Sequence, residues 1–237
     1  MTHNAPLIAV IGCDGSGKST LTGALQDWME QRQPTVTCHL GKQSGNVGRA
    51  LARLPFVGRR IGKSIHARSR AAHASKQPGL LAALVIYAFT LRRARRFSRM
   101  LRLRREGHAI IADRFPQVDC PATMDGLGLA TAQRIGLVGL LAASERRLFE
   151  DMTAHAPDLV LRLNVSLSVA AARKPDHRFE ALARKIADVP RLGFGASPIV
   201  ELDADEPFEH VLSRAQAAIT AALALRDGDA ALPSKAA

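Results

Sequence analysis

Gly12-Cys13-Asp14-Gly15-Ser16-Gly17-Lys18-Ser19 spells G-x-x-x-x-G-K-[ST] in full. The apolar run Leu7-Ile8-Ala9-Val10-Ile11 precedes it, and a stretch of helical character from Ser19 to Gln31 follows. Strand, glycine-rich turn and helix therefore come in the order a phosphate-binding loop requires. Glycines let the backbone curl so that successive N–H groups point inward at phosphate oxygens. The helix adds its unpaired N–H groups and the positive end of its dipole. Lys18 is placed to reach the β- and γ-phosphates, and the Ser19 hydroxyl to ligate Mg²⁺. The expected occupant is a nucleoside triphosphate with its magnesium ion.

Working outward, apolar runs alternate with helical stretches, which predicts a parallel sheet covered on both faces. Strands are expected at Leu7–Ile11, Thr35–Leu40, His108–Asp113, Leu159–Asn164 and Ile199–Leu202. Helices are expected from about Lys18 to Gln33, over Leu80–Arg105, over much of Ala130–Ala154, from Ser166 to Ala172, from His177 to Ala187, and from Pro207 to Leu225. The organisation read from this is one domain over residues 1–225 with a flexible tail over 226–237. Residues 46–78 form a basic helical segment within it, and residues 173–187 a lid.

The chain has 237 residues, 47% of them hydrophobic but only 4% aromatic, so the core must be aliphatic. Cys13, Cys38 and Cys120 form no C-x-x-C pair, which argues for a reducing compartment and against a disulfide framework or a thiolate metal site. Cys13 inside the loop reads as a small filler residue. The longest apolar stretch, Leu80 to Leu91, is shorter than the ~20 residues that span a bilayer. The expected location is the cytoplasm, with peripheral contact at the inner membrane face if the basic residues dock there.

Charge is the second unusual feature, a formal net +12 with local excess. Arg53, Arg59, Arg60, Lys63, Arg68, Arg70 and Lys76 fill one segment. Arg92, Arg93, Arg95, Arg96, Arg99, Arg102, Arg104 and Arg105 fill the next. Such density suits an anionic partner: a phosphorylated small molecule, an acidic glycan or anionic lipid. Nucleic acid is not expected, because no aromatic residues interleave with the cations.

Two further constellations carry chemistry. Asp113-Arg114 ends a buried strand, and ligands of open parallel sheets sit beyond the carboxyl ends of the strands. An acid there can hold a water on Mg²⁺ or orient an acceptor oxygen, and Arg114 can fork onto a phosphate. Arg173-Lys174-Pro175-Asp176-His177-Arg178 follows the fourth strand. A loop so rich in cations can close over a triphosphate and stabilise charge that grows during transfer.

With Asp113-Arg114-Phe115, the stretch Gly12 to Thr20 resembles thymidylate kinase and its relatives, which carry G-x-D/E-G-x-G-K-[ST]-T and D-R-[YF/H]. Pro157 to Val165 is similar to their P-D-L-x-L-x-L-D-V strand, and Val200 to Ala204 resembles their segment near the adenine. The resemblance implies a P-loop NTPase α/β three-layer sandwich with a parallel five-stranded sheet, a basic helical insert, a lid and a homodimer. It implies that Gly12, Asp14, Gly15, Ser16, Gly17, Lys18, Ser19 and Thr20 bind ATP and that Ser19 and Asp113 serve the metal. Asp14 would face the transferring phosphoryl group, and Arg114 and Arg92 the acceptor. Gly15 stands where some members carry a catalytic arginine, so Arg173 and Arg178 in the lid become the candidates for transition-state stabilisation.

The acceptor side departs from the family. His39-Leu40-Gly41-Lys42-Gln43-Ser44-Gly45 replaces R-E-P-G-G-T, and the stacking phenylalanine falls on Ala88, flanked by Tyr87 and Phe89. The expected activity is transfer of the γ-phosphoryl of ATP to an anionic acceptor. Thymidylate is the first candidate; a sugar, glycan or lipid-linked acceptor is the alternative. A P-loop switch docking on an anionic surface is a further class. Guanine specificity is opposed by the absence of an [NT]-K-x-D clamp directly after a strand.

Overall fold

The computed structural model describes residues 4–41, 78–121, 123–132 and 135–231. Apart from Pro78, the basic segment expected over 46–78 lies outside the described residues, as do Lys42 to Gly45. The described residues fall into two compact units, the first comprising residues 4–40, 98–115 and 155–231, the second residues 41, 78–97, 116–121, 123–132 and 135–154.

The first unit holds β1 (Leu7–Gly12), α1 (Lys18–Glu30), β2 (Thr35–His39), β3 (Ala109–Asp113), β4 (Leu159–Asn164), α4 (Leu167–Arg173), α5 (Phe179–Asp188), β5 (Ile199–Asp203) and α6 (Phe208–Ala231). A long helix, α2 (Leu80–Arg105), begins in the second unit and contributes its last turns to the first; α3 (Gly136–Thr153) belongs to the second. The strands make one parallel sheet in the order β2-β3-β1-β4-β5, flanked by helices. β1 and β3 are buried along their whole length, and β4 except at Asn164, as expected of central parallel strands with helices on both faces.

Local chemistry accounts for the element ends. α2 starts after Pro78-Gly79 and stops at Gly107, whose φ of +91° is left-handed; His108 N–H then donates to Leu103 O at 3.1 Å. Arg102, Arg104 and Arg105 sit in its last turn, against the negative end of the dipole. Ser166 caps α4 by accepting from Val169 N–H. Asp158 anchors the amino end of the sheet. Its Oδ2 accepts from Leu7 N–H at 2.6 Å, from Arg104 at 2.8 Å and from Arg226 at 3.2 Å.

Two sequence expectations change. Helix α3 begins at Gly136 rather than near Ala130, because the buried Glu145 carboxylate accepts from the backbone N–H groups of Gly128 (3.1 Å) and Leu129 (2.7 Å) and holds that stretch as a turn. The last helix runs past Leu225 to Ala231, and Arg226, read as the start of a frayed tail, is fastened to Asp158 and to Asn4 O. No helix of the described residues is long and apolar enough to cross a membrane.

Candidate nucleotide site

β1 delivers the chain into the loop at the carboxyl edge of the sheet. Gly12 (φ +151°) has no room for a side chain: a Cβ would stand 2.6 Å from Ser16 Oγ and 2.8 Å from Leu163 O. At Gly15 (φ +87°) a Cβ would meet Ala170 O at 2.9 Å. Gly17, also left-handed, caps α1, and Ser19 and Thr20 lie exposed in the first turn. Ser16 Oγ donates to Cys13 O at 3.0 Å, which closes the loop on itself.

Lys18 is only 6% exposed and folds back to donate from Nζ to Cys13 O at 2.5 Å. Burial, and after it the Arg114 guanidinium, push its pKa down to about 8; Asp14, Asp113 and Cys13 offset part of this. Burial raises the Cys13 thiol pKa, as suits an inert filler rather than a reactive thiolate.

Parallel register sets the second part of the site. Asp113 pairs with Val10 of β1 on one side and with His39 of β2 on the other, so the end of β3 lies beside the loop. Asp113 Oδ2 is 2.6 Å from His39 Nδ1, whereas its Oδ1 is buried with no hydrogen-bond partner. The next residue, Arg114, adopts φ +68°, a costly conformation for a side chain of that size, and donates to Asp14 Oδ1 at 2.9 Å.

Asp14 is the hub. Lys185 of α5 donates to its Oδ2, His177 Nδ1 stands 3.8 Å from that oxygen, and Arg114 holds the other oxygen. Burial alone would raise the Asp14 pKa. The Lys185 hydrogen bond and the charges of Lys185, Arg114 and Lys18 outweigh it and hold the carboxyl well below the usual carboxylate range. Arg173, the last residue of α4, donates to Gly15 O at 3.2 Å. The first unit thus brings Asp14, Lys18, Asp113, Arg114 and Arg173 together on one loop.

It does not bring Arg178 there. That side chain is mostly exposed and its nearest acid is Glu180, at 3.8 Å. Lys185 takes the place by the loop, a residue the sequence reading passed over. The available signal was helical spacing: Leu182 is the buried residue of α5, and Lys185 lies three positions on. In the sequence His39 stands out only as a departure from the family pattern; its place opposite Asp113 follows from the strand pairing.

In the second unit Arg92 is exposed, while Arg93, one residue on, is buried at 2%. Arg93 Nη2 pairs with Asp125 Oδ1 at 3.0 Å, and its guanidinium lies 5.4 Å from the Phe149 ring centroid. The Tyr87 hydroxyl is hydrogen-bonded to Ser144 Oγ at 2.7 Å. Back in the first unit, a cavity of about 390 Å³ opens past the carboxyl ends of β4 and β5, lined by Asn164, Val165, Ser166, Glu201, Asp203 and Arg214.

Relatives cover most of the chain. The uncharacterized ATP-binding protein YghS of Escherichia coli K12 is 41% identical over 223 residues, 92% of this chain and 93% of the relative. The uncharacterized ATP-binding protein YghR of the same strain is 37% identical over 218 residues, 90% of this chain and 86% of the relative. No protein-family model matches. Among solved structures, deoxyadenosine kinase from M. mycoides with bound dATP shares the fold with a TM-score of 0.53 at 13% identity, over 92% of this chain and all of that one. The same enzyme with dCMP and dCDP gives 0.50 at 13%, over 90% and 98%. The fold is that of the P-loop NTPases, in the form seen in a nucleoside kinase.

Proposed function

The chain belongs to the family of the Escherichia coli ATP-binding proteins YghS and YghR, and from that premise we propose that it binds ATP with magnesium and transfers the γ-phosphoryl group to an anionic small molecule. The observation that carries this reading is the convergence of four cations, Lys18, Arg114, Lys185 and Arg173, on a glycine loop in which Gly12 and Gly15 leave no room for a side chain. Phosphoryl transfer asks a protein mainly for positioning and charge neutralisation.

The loop N–H groups and the start of α1 hold the β-phosphate, with Gly12, Gly15, Ser16, Gly17, Ser19 and Thr20 forming the cradle. Lys18 leaves Cys13 O for the β,γ-bridge region, and phosphate charge restores its full protonation. The cavity beside β5 takes the base. Lys185 and Arg173, on the two helices flanking the break at Lys174–His177, move from loop oxygens and Asp14 onto the transferring group as its charge spreads. Asp14, relieved of Lys185, orients the acceptor, and Arg114 holds the acceptor's charge. The site has a fitting donor for a hard dication: the orphaned Asp113 Oδ1, with the Ser19 hydroxyl across the loop's end. Magnesium bound there would neutralise the β- and γ-oxygens.

Thymidylate is the first acceptor to test, on the strength of the loop and the Asp-Arg pair. A second acceptor class, a non-nucleotide phosphate or sugar, is favoured by one observation. Tyr87, which flanks the family's stacking position, has its hydroxyl tied to Ser144, and Arg92 lies exposed while its neighbour Arg93 is locked to Asp125. The test is an acceptor screen with ATP and magnesium, reading ADP release and the mass of the product. Acceptor-dependent ADP release that vanishes with chelator is expected; nucleotide hydrolysis unresponsive to every acceptor would overturn the transferase reading in favour of a switch.

A further inference from the structure

Ten large apolar side chains are exposed among the described residues, and seven of them belong to the second unit: Leu80, Leu81, Leu84, Leu91, Ile135, Leu137 and Leu140. They are not scattered. Ala83, Ile86 and Tyr87 of α2 pack with Leu129, Ala132, Val138, Leu141 and Ala142, which fixes the inward faces of α2 and α3. What remains outward on α2 is Leu81, Leu84, Ala88 and Leu91, at spacings of three, four and three. On α3 it is Leu137 and Leu140, three apart, with Ile135 just before. Exposure reaches 64% at Leu81, 68% at Leu140 and 79% at Ile135.

The α2 stripe then turns cationic, with Arg92 and Arg95 continuing its outward face, while on α3 Arg147, seven positions past Leu140, shares its face with Asp151; all four are exposed. Among the described residues no ion pair is formed by Arg92, Arg95 or Arg147. Aliphatic side chains followed by arginine along one helix face let the apolar end sit below the headgroups of a bilayer while the guanidinium groups meet the phosphates.

We infer that this unit carries a docking surface for an anionic lipid bilayer, made by the outward faces of α2 and α3. Charge selects this occupant over a second copy of the chain. A second copy brings another net charge of +12 up to a patch with a cationic end, whereas an anionic bilayer meets that end with opposite charge. The apolar set is also leucine and isoleucine throughout, without the aromatic anchors that concentrate energy in protein interfaces. Insertion into hydrocarbon asks only for aliphatic area.

The test is co-sedimentation of the purified full chain with vesicles of phosphatidylcholine alone and with one part phosphatidylglycerol in three, at low and high salt. Wild type is expected on the anionic vesicles and at least tenfold weaker on the neutral ones. Leu81→Gln/Leu84→Gln and Leu137→Gln/Leu140→Gln replace exposed side chains, and thermal melts without lipid verify that both variants fold. Either pair should weaken binding about tenfold, the scale of withdrawing two leucines from a partly buried position. Arg95→Glu/Arg147→Glu should weaken it on anionic vesicles only. Three results would overturn the inference: no vesicle binding; binding that survives both leucine pairs, which would be surface charge alone; or a self-associating chain that the leucine pairs render monomeric. The phosphotransferase reading stands or falls separately, on the acceptor screen in solution.

Discussion

Lys18 is held at a cost to the fold, and replacing it by methionine measures that cost. Its pKa of about 8 stands some 2.5 below the ordinary 10.5, and each unit corresponds to 1.36 kcal/mol, so charged Lys18 weakens the nucleotide-free protein by about 3 kcal/mol at pH 7. Methionine keeps the buried stem and removes the charge. Cys13 O then keeps the Ser16 hydroxyl but loses its charged donor, which takes back about 1–2 kcal/mol. Urea unfolding at pH 7 should show Lys18→Met more stable than wild type by about 1–2 kcal/mol. The sign follows from proton counts. Between pH 8 and 10.5 the unfolded chain retains a proton that folded Lys18 has released, so wild type gains stability as pH rises through that window and the variant does not. The gap should close and reverse by pH 10. Other titrating groups are common to both proteins and cancel in the difference. Adding ATP and magnesium should raise the wild-type Tm and leave that of the variant unmoved. A variant less stable at pH 7, with a gap flat from pH 7 to 10, would refute the claim that burial and Arg114 depress this lysine.

The lid variants should rank. Lys185→Ala and Arg173→Ala are expected to lower kcat by tenfold or more with KM for ATP changed less than threefold, and Arg178→Ala to have the smallest effect, because that side chain lies at the surface. Equal effects at all three, in steady-state assays, would remove Lys185 from its role. Gly12→Ala should cost about 2–3 kcal/mol in urea unfolding and abolish nucleotide binding, since its Cβ meets backbone and side chain; Gly17→Ala, with open space around it, should cost about 1 kcal/mol, from conformation alone. Asp125→Asn should destabilise by about 3 kcal/mol in the same measurement by replacing the carboxylate paired with the buried Arg93 by a neutral amide, and a loss under 1 kcal/mol would show that the pair is solvated.

The sheet, the loop and the Asp-Arg pair are legible from the residues alone. Each is written in short-range chemistry: apolar runs of strand length, glycines where φ must be positive, a lysine and serine at fixed offsets, and an acid closing a buried strand. The span Leu80–Arg105 was legible for the same reason, a long stretch without glycine or proline bounded by Pro78-Gly79 and Gly107. Which cations meet the loop depends on how the helices pack. Arg178 and Lys185 look alike as text, as do Arg92 and Arg93. Helix rotation, with Leu182 buried on α5 and Arg93 of α2 turned toward the Phe149 ring, carried one member of each pair inward and left the other in water. Parallel register likewise put His39 opposite Asp113 across seventy-four positions of chain. Such distances close only when the hydrophobic faces dock, so the arrangement is a property of the packed sheet and of no local segment.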